Sequence, residues 1–319
     1  MLSAWAKRRF GTLRSRALLF SIVGILLYSL GKLGCAQPLT DADVIIGSKN
    51  FTESRILGEM YAQVLESHGF RVRRRFNLGG TLITHAALQN GEIDLYPEYT
   101  GTGLLDILGL PLNPQKNENF SENANDAIDR LNRQYEKRWA LHWLCPALAN
   151  DSQGLVISRQ LADAERIYTI SRLAEMSPQL RLAVIPEFED RADGLPGLQK
   201  AYPGLHFKQI QQFDNGLKYS VLLNREADVT VGFTTDSDLL KPELLLLKDD
   251  RHFWPEYRIA PVVRMETLHR YPRMAEQLNQ LSQTLDTQTM RRLNAAVDIQ
   301  QQEAATVAHS FLKQRRLIP

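Results

Sequence analysis

Leu88-Gln89-Asn90-Gly91-Glu92-Ile93-Asp94-Leu95 is echoed 134 residues later by Leu222-Leu223-Asn224-Arg225-Glu226-Ala227-Asp228-Val229, with Leu, Asn, Glu and Asp in matching places. In both copies a helical pattern ends, an acidic turn follows, and a strand runs into a threonine-rich segment. That segment is Tyr99-Thr100-Gly101-Thr102 in the first copy and Thr234-Thr235-Asp236 in the second. So short a match is weak alone. Its coincidence with the same helix–turn–strand unit predicts two similar α/β lobes in one chain.

Working outward, Val44-Ile45-Ile46 is a β-branched run ending in Gly47 and reads as a buried strand. Asn50 with Glu53 resembles a capping box, opening a helix whose face carries Ile56, Leu57, Met60, Tyr61, Val64 and Leu65. Gly69 stops it. A strand over 71–76, a Gly79-Gly80 turn, a helix over 81–89 and a strand over 93–96 follow. Further strands are expected at 154–158, 181–185 and 206–210. Strict alternation of this kind implies parallel sheets with crossover helices. Arg71, Arg73 and Arg75 share one strand face and are expected to form a solvated edge rather than a basic binding patch. The polar residues 113–125 read as a surface loop before a helix carrying Ala127, Ile128, Leu131 and Tyr135. After Pro261-Val262-Val263 the chain is helical, and a stripe from Leu268 through Met274, Leu278, Leu281, Leu293 and Phe311 is core packing.

At 319 residues the chain can hold one large or two medium domains, and its 44% hydrophobic and 23% charged residues fit an ordinary globular protein. The net charge of +2 is misleading. Six cations and no acid fall in the first 34 residues, so the remainder carries −4 and argues against a nucleic-acid partner. Five of those cations precede an apolar run over 17–30, and the small residues Gly34, Cys35 and Ala36 follow it, the pattern of a secretory signal peptide over 1–36. The alternative is an uncleaved anchor, for which the run is short. Leu33-Gly34-Cys35 resembles a lipoprotein box, but Lys32 stands where an apolar residue belongs; cleavage after Ala36 leaves the protein free in the periplasm. Arg8-Arg9 is not a twin-arginine signal, because Phe10 follows too soon.

Cys145, with Cys35 removed or lipidated, has no disulfide partner and is expected to be a small buried residue. The sequence holds no P-loop, dinucleotide glycine fingerprint, His-Glu-x-x-His or Gly-x-Ser-x-Gly, and the seven histidines lack metal-ligand spacing. Weight moves from an enzyme toward a binding protein needing no cofactor. Aromatic and cationic residues collect instead at segment ends: Lys49-Asn50, Tyr96, Tyr99, Phe233, and Trp254 with Tyr257. In α/β lobes such ends line the ligand crevice. A trimethylammonium group donates no hydrogen bond and is held by π faces, at about 0.5–2 kcal/mol per contact. Taken singly, each tyrosine reads as a core residue with a wet hydroxyl rather than a cage wall.

From Ile46 onward the sequence resembles the glycine betaine/choline-type substrate-binding proteins of osmoprotectant ABC importers. The segments that carry the likeness occur in order along most of the chain: Gly47-Ser48-Lys49-Asn50-Phe51-Thr52-Glu53, Asn90-Gly91-Glu92-Ile93-Asp94 and Pro97-Glu98-Tyr99-Thr100-Gly101-Thr102, then Arg191-Ala192-Asp193-Gly194-Leu195-Pro196-Gly197-Leu198 and Gly232-Phe233-Thr234-Thr235-Asp236. The last runs from Leu247-Lys248-Asp249-Asp250 through Phe253-Trp254-Pro255-Glu256-Tyr257 to Ala260-Pro261-Val262-Val263.

The resemblance implies a type II periplasmic-binding-protein fold: two α/β lobes joined by two crossover strands, with lobe 1 formed by 42–147 and 251–319 and lobe 2 by 148–250. It implies hinge closure on a small quaternary-ammonium ligand, a monomer delivering that ligand to an inner-membrane ABC permease, and no metal. Tyr99, Tyr219 and Tyr257 match cage positions, and Lys49 and Arg191 match positions facing a ligand carboxylate. Asn50, Thr100, Thr102, Gln153 and Phe233 complete the implied binding set. Two places depart from the pattern. Asp151-Ser152-Gln153-Gly154 stands where such proteins often have Asn-Thr-Tyr-Ala, so Gln153 replaces a cage ring, and Phe233 stands where some carry tyrosine. Losing a ring is expected to weaken ammonium binding or shift selectivity toward a more polar ligand. An enzyme or a sensor module on the same fold, acting on a small zwitterion, is the alternative.

Overall fold

The computed structural model describes residues 44–110 and 124–319. The leader expected over 1–36, with Cys35, and most of the expected polar loop lie outside the described residues.

β1 (Val44–Gly47) is the buried strand that its β-branched run predicts. It pairs in parallel with β2 (Val72–Arg75) and β3 (Leu95–Tyr99). β10 (Ile259–Arg264) runs antiparallel to β3, and β4 (Leu141–Trp143) antiparallel to β10, giving the order β2-β1-β3-β10-β4. The second sheet repeats the plan. β6 (Arg181–Val184) pairs in parallel with β7 (Gln209–Gln212) and β8 (Val229–Phe233). β5 (Gln153–Ser158) runs antiparallel to β8 and to β9 (Leu244–Leu246), for an order β7-β6-β8-β5-β9.

Both sheets are therefore mixed, not wholly parallel. The odd strand has the same origin in each: β5 and β10 are the first strands after the chain crosses from the other sheet, and each enters against the local direction. The echoed octapeptides occupy the same position in the two sheets, ahead of the central strands β3 and β8. Their aspartates do the same work. Asp94 exchanges bonds with Ile45, receiving its N–H at Oδ2 (2.8 Å), and Asp228 receives the Arg181 N–H at 2.9 Å. Gly91 (φ +72°) and its counterpart Arg225 (φ +62°) are both left-handed at the turn between helix and strand.

Helix α1 (Thr52–Ser67) buries Ile56, Leu57, Met60, Tyr61, Val64 and Leu65 as the periodicity predicts, each worth about 1.5–3 kcal/mol of apolar burial. Its expected capping box is not formed. Phe51 is the N-cap without a side-chain bond, the Asn50 N–H goes to the Gly79 carbonyl, and Glu53 turns inward to other partners. The arginine strand β2 is an exposed sheet edge, as expected. Cys145 is exposed, not buried: its apolar neighbours Leu144 and Ala147 fill the core instead. The strand expected at 206–210 begins later, at Gln209.

Helix α2 (Thr81–Gln89) precedes β3, α3 (Ala124–Trp139) covers β4, and α4 (Lys218–Leu223) precedes β8. The C-terminal stripe lies on α5 (Met274–Ser282), α6 (Thr287–Asp298), α7 (Ala304–Gln314) and their flanks, all packed into the main apolar cluster. α6 touches both α1 and the 3₁₀ turn Ser237–Leu240 of the second lobe. The two crossing segments also pair: Asn150 bridges Arg258, Asp151 N–H reaches the Tyr257 carbonyl, and the Asn150 amide oxygen accepts from Tyr257 N–H at 2.7 Å.

Candidate functional site

A cleft of about 800 Å³ lies between the sheets. Residues just past β1, β3, β6 and β8 line it, because parallel strands end together and leave their following loops around a common crevice. Tyr99 closes β3, Tyr219 sits on α4, and Tyr257 belongs to the returning crossover; all three line the cleft and are about 95% buried.

Each tyrosine hydroxyl donates to a carboxylate. Tyr99 meets Glu53 Oε1 at 2.8 Å, Tyr219 meets Asp236 Oδ2 at 2.7 Å, and Tyr257 meets Asp193 Oδ2 at 2.7 Å. Burial, aided by those carboxylates, pushes all three phenols well above their ordinary range, so they stay neutral. The acids also anchor the hydroxyl ends of the rings. Phe51 lies 6.2 Å from Tyr99, centroid to centroid. Two ammonium groups of the chain rest near these rings: Lys49 Nζ is 5.3 Å from Tyr99, and Lys218 Nζ is 5.2 Å from Tyr219 and 4.7 Å from Phe233. The wall therefore already receives alkylammonium ions.

The cleft cations are held by acids. Lys49 Nζ binds Glu98 Oε1 at 2.5 Å and donates to the Thr81 hydroxyl at 2.9 Å. Lys218 pairs with Asp236 at 2.7 Å. Arg191 grips Asp193 through Nε (2.7 Å) and Nη2 (2.6 Å) and reaches Asp106 across the cleft at 3.2 Å. Burial alone would raise the Asp193 carboxyl, but the Arg191 and Tyr257 hydrogen bonds outweigh it and hold the group below the ordinary carboxylate range. Glu53 and Asp151 contrast with it. Burial raises both, and Asp151 is raised further by the charge of Glu53.

Of the implied binding set, Lys49, Asn50, Thr102, Gln153, Arg191 and Phe233 line the same cleft as the three tyrosines. Gln153 is turned by its Nε2 bond to Asp193 Oδ2 (2.9 Å). Thr100 does not line the cleft: its hydroxyl donates to Glu256 O (2.8 Å) and accepts from Arg258 N–H (3.0 Å), tying β3 to the returning crossover. Tyr96 and Trp254, also at segment ends, are core; Tyr96 bonds Glu98 and Trp254 Nε1 bonds the Asp193 carbonyl. The reading of the sequence missed the acids Glu53, Asp106, Asp151 and Asp236, together with Lys218 and Asn294. Glu53 and Asp236 carried a signal as members of the quoted family segments, Asp151 as the first residue of the departing Asp151-Ser152-Gln153-Gly154 stretch, and Lys218 as the neighbour of Tyr219. Among the described residues no group of three His, Cys, Asp or Glu is placed to hold a metal ion, and no helix is long and apolar enough to cross a membrane.

Known proteins share this plan. The glycine-betaine-binding protein of Pseudomonas aeruginosa is 35% identical over 297 residues, covering 89% of this chain and 91% of its own. Glycine betaine-binding protein YehZ of Escherichia coli is 32% identical over 289 residues, covering 87% and 92%. A crystal structure described as a glycine betaine/carnitine/choline ABC transporter superposes with a TM-score of 0.76 at 28% identity, over 86% of this chain and 99% of that one. The type II two-lobed fold expected above is therefore the fold of this chain. The family model for the substrate-binding domain of ABC-type glycine betaine transport systems, OpuAC, matches residues 42–314, and the chain belongs to that family.

Proposed function

We propose that this chain captures a small quaternary-ammonium osmolyte of the glycine betaine or choline type and delivers it unchanged to an ABC permease. In this reading, residues 1–36 are an export signal and the mature monomer acts in the periplasm. Lobe 1 comprises 42–147 and 251–319, lobe 2 comprises 148–250, and closure between them traps the ligand.

What supports the reading most is that three tyrosines from distant segments, Tyr99, Tyr219 and Tyr257, line one interlobe cleft with their phenols kept neutral. Neutral phenol rings attract a cation through the quadrupole, and a trimethylammonium ion asks for ring faces and desolvation rather than hydrogen bonds. Lys49 and Lys218 resting near those rings are an intramolecular precedent. Gln153 in place of a ring leaves a wall with one polar side, and Asn50 and Thr102 offer polar contacts at its edge.

The test is calorimetry with a panel of quaternary amines. Saturable binding is expected, with Tyr257→Ala weakening it about tenfold or more, as the loss of one to two cation–π contacts requires. Heat from none of the amines would contradict the reading. A ligand chemically altered after prolonged incubation would favour an enzyme.

A further inference from the structure

The cleft holds two acids, Glu53 and Asp151, that no cation among the described residues pairs with. Asn294, on α6, is 5% exposed and lines the cleft; its Nδ2 donates to Glu53 Oε2 (2.8 Å) and to Thr235 O (3.0 Å), while its Oδ1 has no hydrogen-bond partner. Glu53, itself 4% exposed, receives only neutral donors, Tyr99 and Asn294, and Asp151 receives the Thr235 hydroxyl at 2.5 Å. Among the described residues neither carboxylate forms an ion pair, whereas Lys49, Arg191 and Lys218 are each held by an acid. A buried carboxylate without a cation is costly, so a ligand that brings positive charge and a donor is favoured there.

We propose that Glu53 and Asp151 form an accepting floor that selects a quaternary amine ending in a hydroxyl over one ending in a carboxylate. The inference rests on the capture function above and names its ligand class. A choline-type ligand brings net positive charge and one O–H donor to a surface that offers acceptors and negative charge. A betaine-type ligand brings a carboxylate whose cationic partners are already engaged, and meets two acids head-on.

The floor carries a pH signature as well. Facing Glu53 are Tyr99 from β3, Asn294 from α6, and Thr235 and Asp236 from the loop after β8; Asp151 faces Thr235 and feels Glu53, Asp236 and Lys218. Burial raises both floor acids in the empty cleft. A bound cation favours their ionised form, so choline capture releases protons and tightens as pH rises. A carboxylate ligand prefers the protonated floor and tightens as pH falls.

Calorimetry at pH 5.5 and pH 8 with choline chloride and with glycine betaine, on the full mature chain and on Asp151→Asn, tests this. At pH 8 choline is expected to bind at least tenfold more tightly than betaine. The near-isosteric Asp151→Asn, checked for folding by circular dichroism, is expected to cut that ratio at least tenfold. Betaine binding as tightly as choline at pH 8, or a ratio unmoved in Asp151→Asn, would overturn the proposal while leaving quaternary-amine capture intact. Heat from neither amine, nor from any other quaternary amine, would instead defeat capture itself, and the proposal with it.

Discussion

A methyl group added to Gly101 would lie 2.5 Å from the Tyr257 ring, and one added to Gly232 would collide with the Tyr219 hydroxyl. Two glycines, one past β3 and one in β8, thus leave room for two of the three cleft tyrosines. Such overpacking typically costs about 1–3 kcal/mol and is relieved by moving the ring. Gly101→Ala is therefore expected to weaken quaternary-amine binding about tenfold or more, with a changed near-ultraviolet circular dichroism and an unchanged far-ultraviolet spectrum. A stability prediction follows from the floor acids. Carboxyls raised by burial oppose the folded state once they ionise, so their penalty is absent at low pH and grows as pH rises through their raised values. Asp151→Asn is expected to raise the melting temperature of the ligand-free protein at pH 8, with the gain shrinking toward pH 4, by differential scanning calorimetry. At this scale the tyrosines were legible because the family segments carry them. The acid Asp106 was not, since a lone aspartate in sequence is indistinguishable from a solvated surface residue, and Asp151 was quoted only as the neighbour of the departing Gln153. Asn294 was hidden within a helical stripe read as packing.

At the scale of elements, the echoed aspartates are the strongest link between pattern and structure. Asp228 receives Arg181 N–H, Nε and Nη2, all at 2.9 Å, and those hydrogen bonds hold its carboxyl below the ordinary range. A depressed carboxyl contributes stability that is complete above the ordinary carboxylate pKa of about 3.9 and lost as pH falls through the lowered value. Asp228→Asn is expected to cost about 1–2 kcal/mol at pH 7, discounted for partial exposure, and nearly nothing near pH 2, by urea unfolding. Arg225 occupies the left-handed position that glycine fills in the first copy. Arg225→Gly is expected to be neutral or stabilising by up to about 1 kcal/mol, because the strain relieved exceeds the added chain entropy. The sequence disclosed that both units exist, but the limits of the strand over 93–96 were wrong for a physical reason. Pro97 and Glu98 look like terminators, yet Pro97 faces Pro261 across the sheet, where neither needs to donate, and Glu98 is neutralised in the core by Lys49. Strand direction was equally hidden, since β5 and β10 look like any apolar run until the crossings are known.

For the whole molecule, the lobes touch through more than their two crossing strands. Arg191 of the second lobe pairs with Asp106 of the first, and Asn294 on α6 joins Glu53 to the Thr235 carbonyl. An ion pair of this exposure is worth about 0–1 kcal/mol, enough to shift a balanced equilibrium between open and closed lobes severalfold. Asp106→Asn is expected to enlarge the radius of gyration of the ligand-free protein in small-angle scattering, with less effect once ligand is bound. The lobed plan was legible from the echo and the family segments together; the contact of α6 with both lobes was not, because nothing in a local pattern says which surface a late helix will meet. The claim on which all of this depends is that neutral rings and unpaired acids together attract a cation. It is tested most directly by comparing choline with its uncharged tert-butyl isostere, 3,3-dimethylbutan-1-ol, in calorimetric titrations of the wild-type chain at pH 8. Choline is expected to bind at least a hundredfold more tightly, about 2.7 kcal/mol. Equal affinity for the two, or tighter binding of the neutral alcohol, would contradict it.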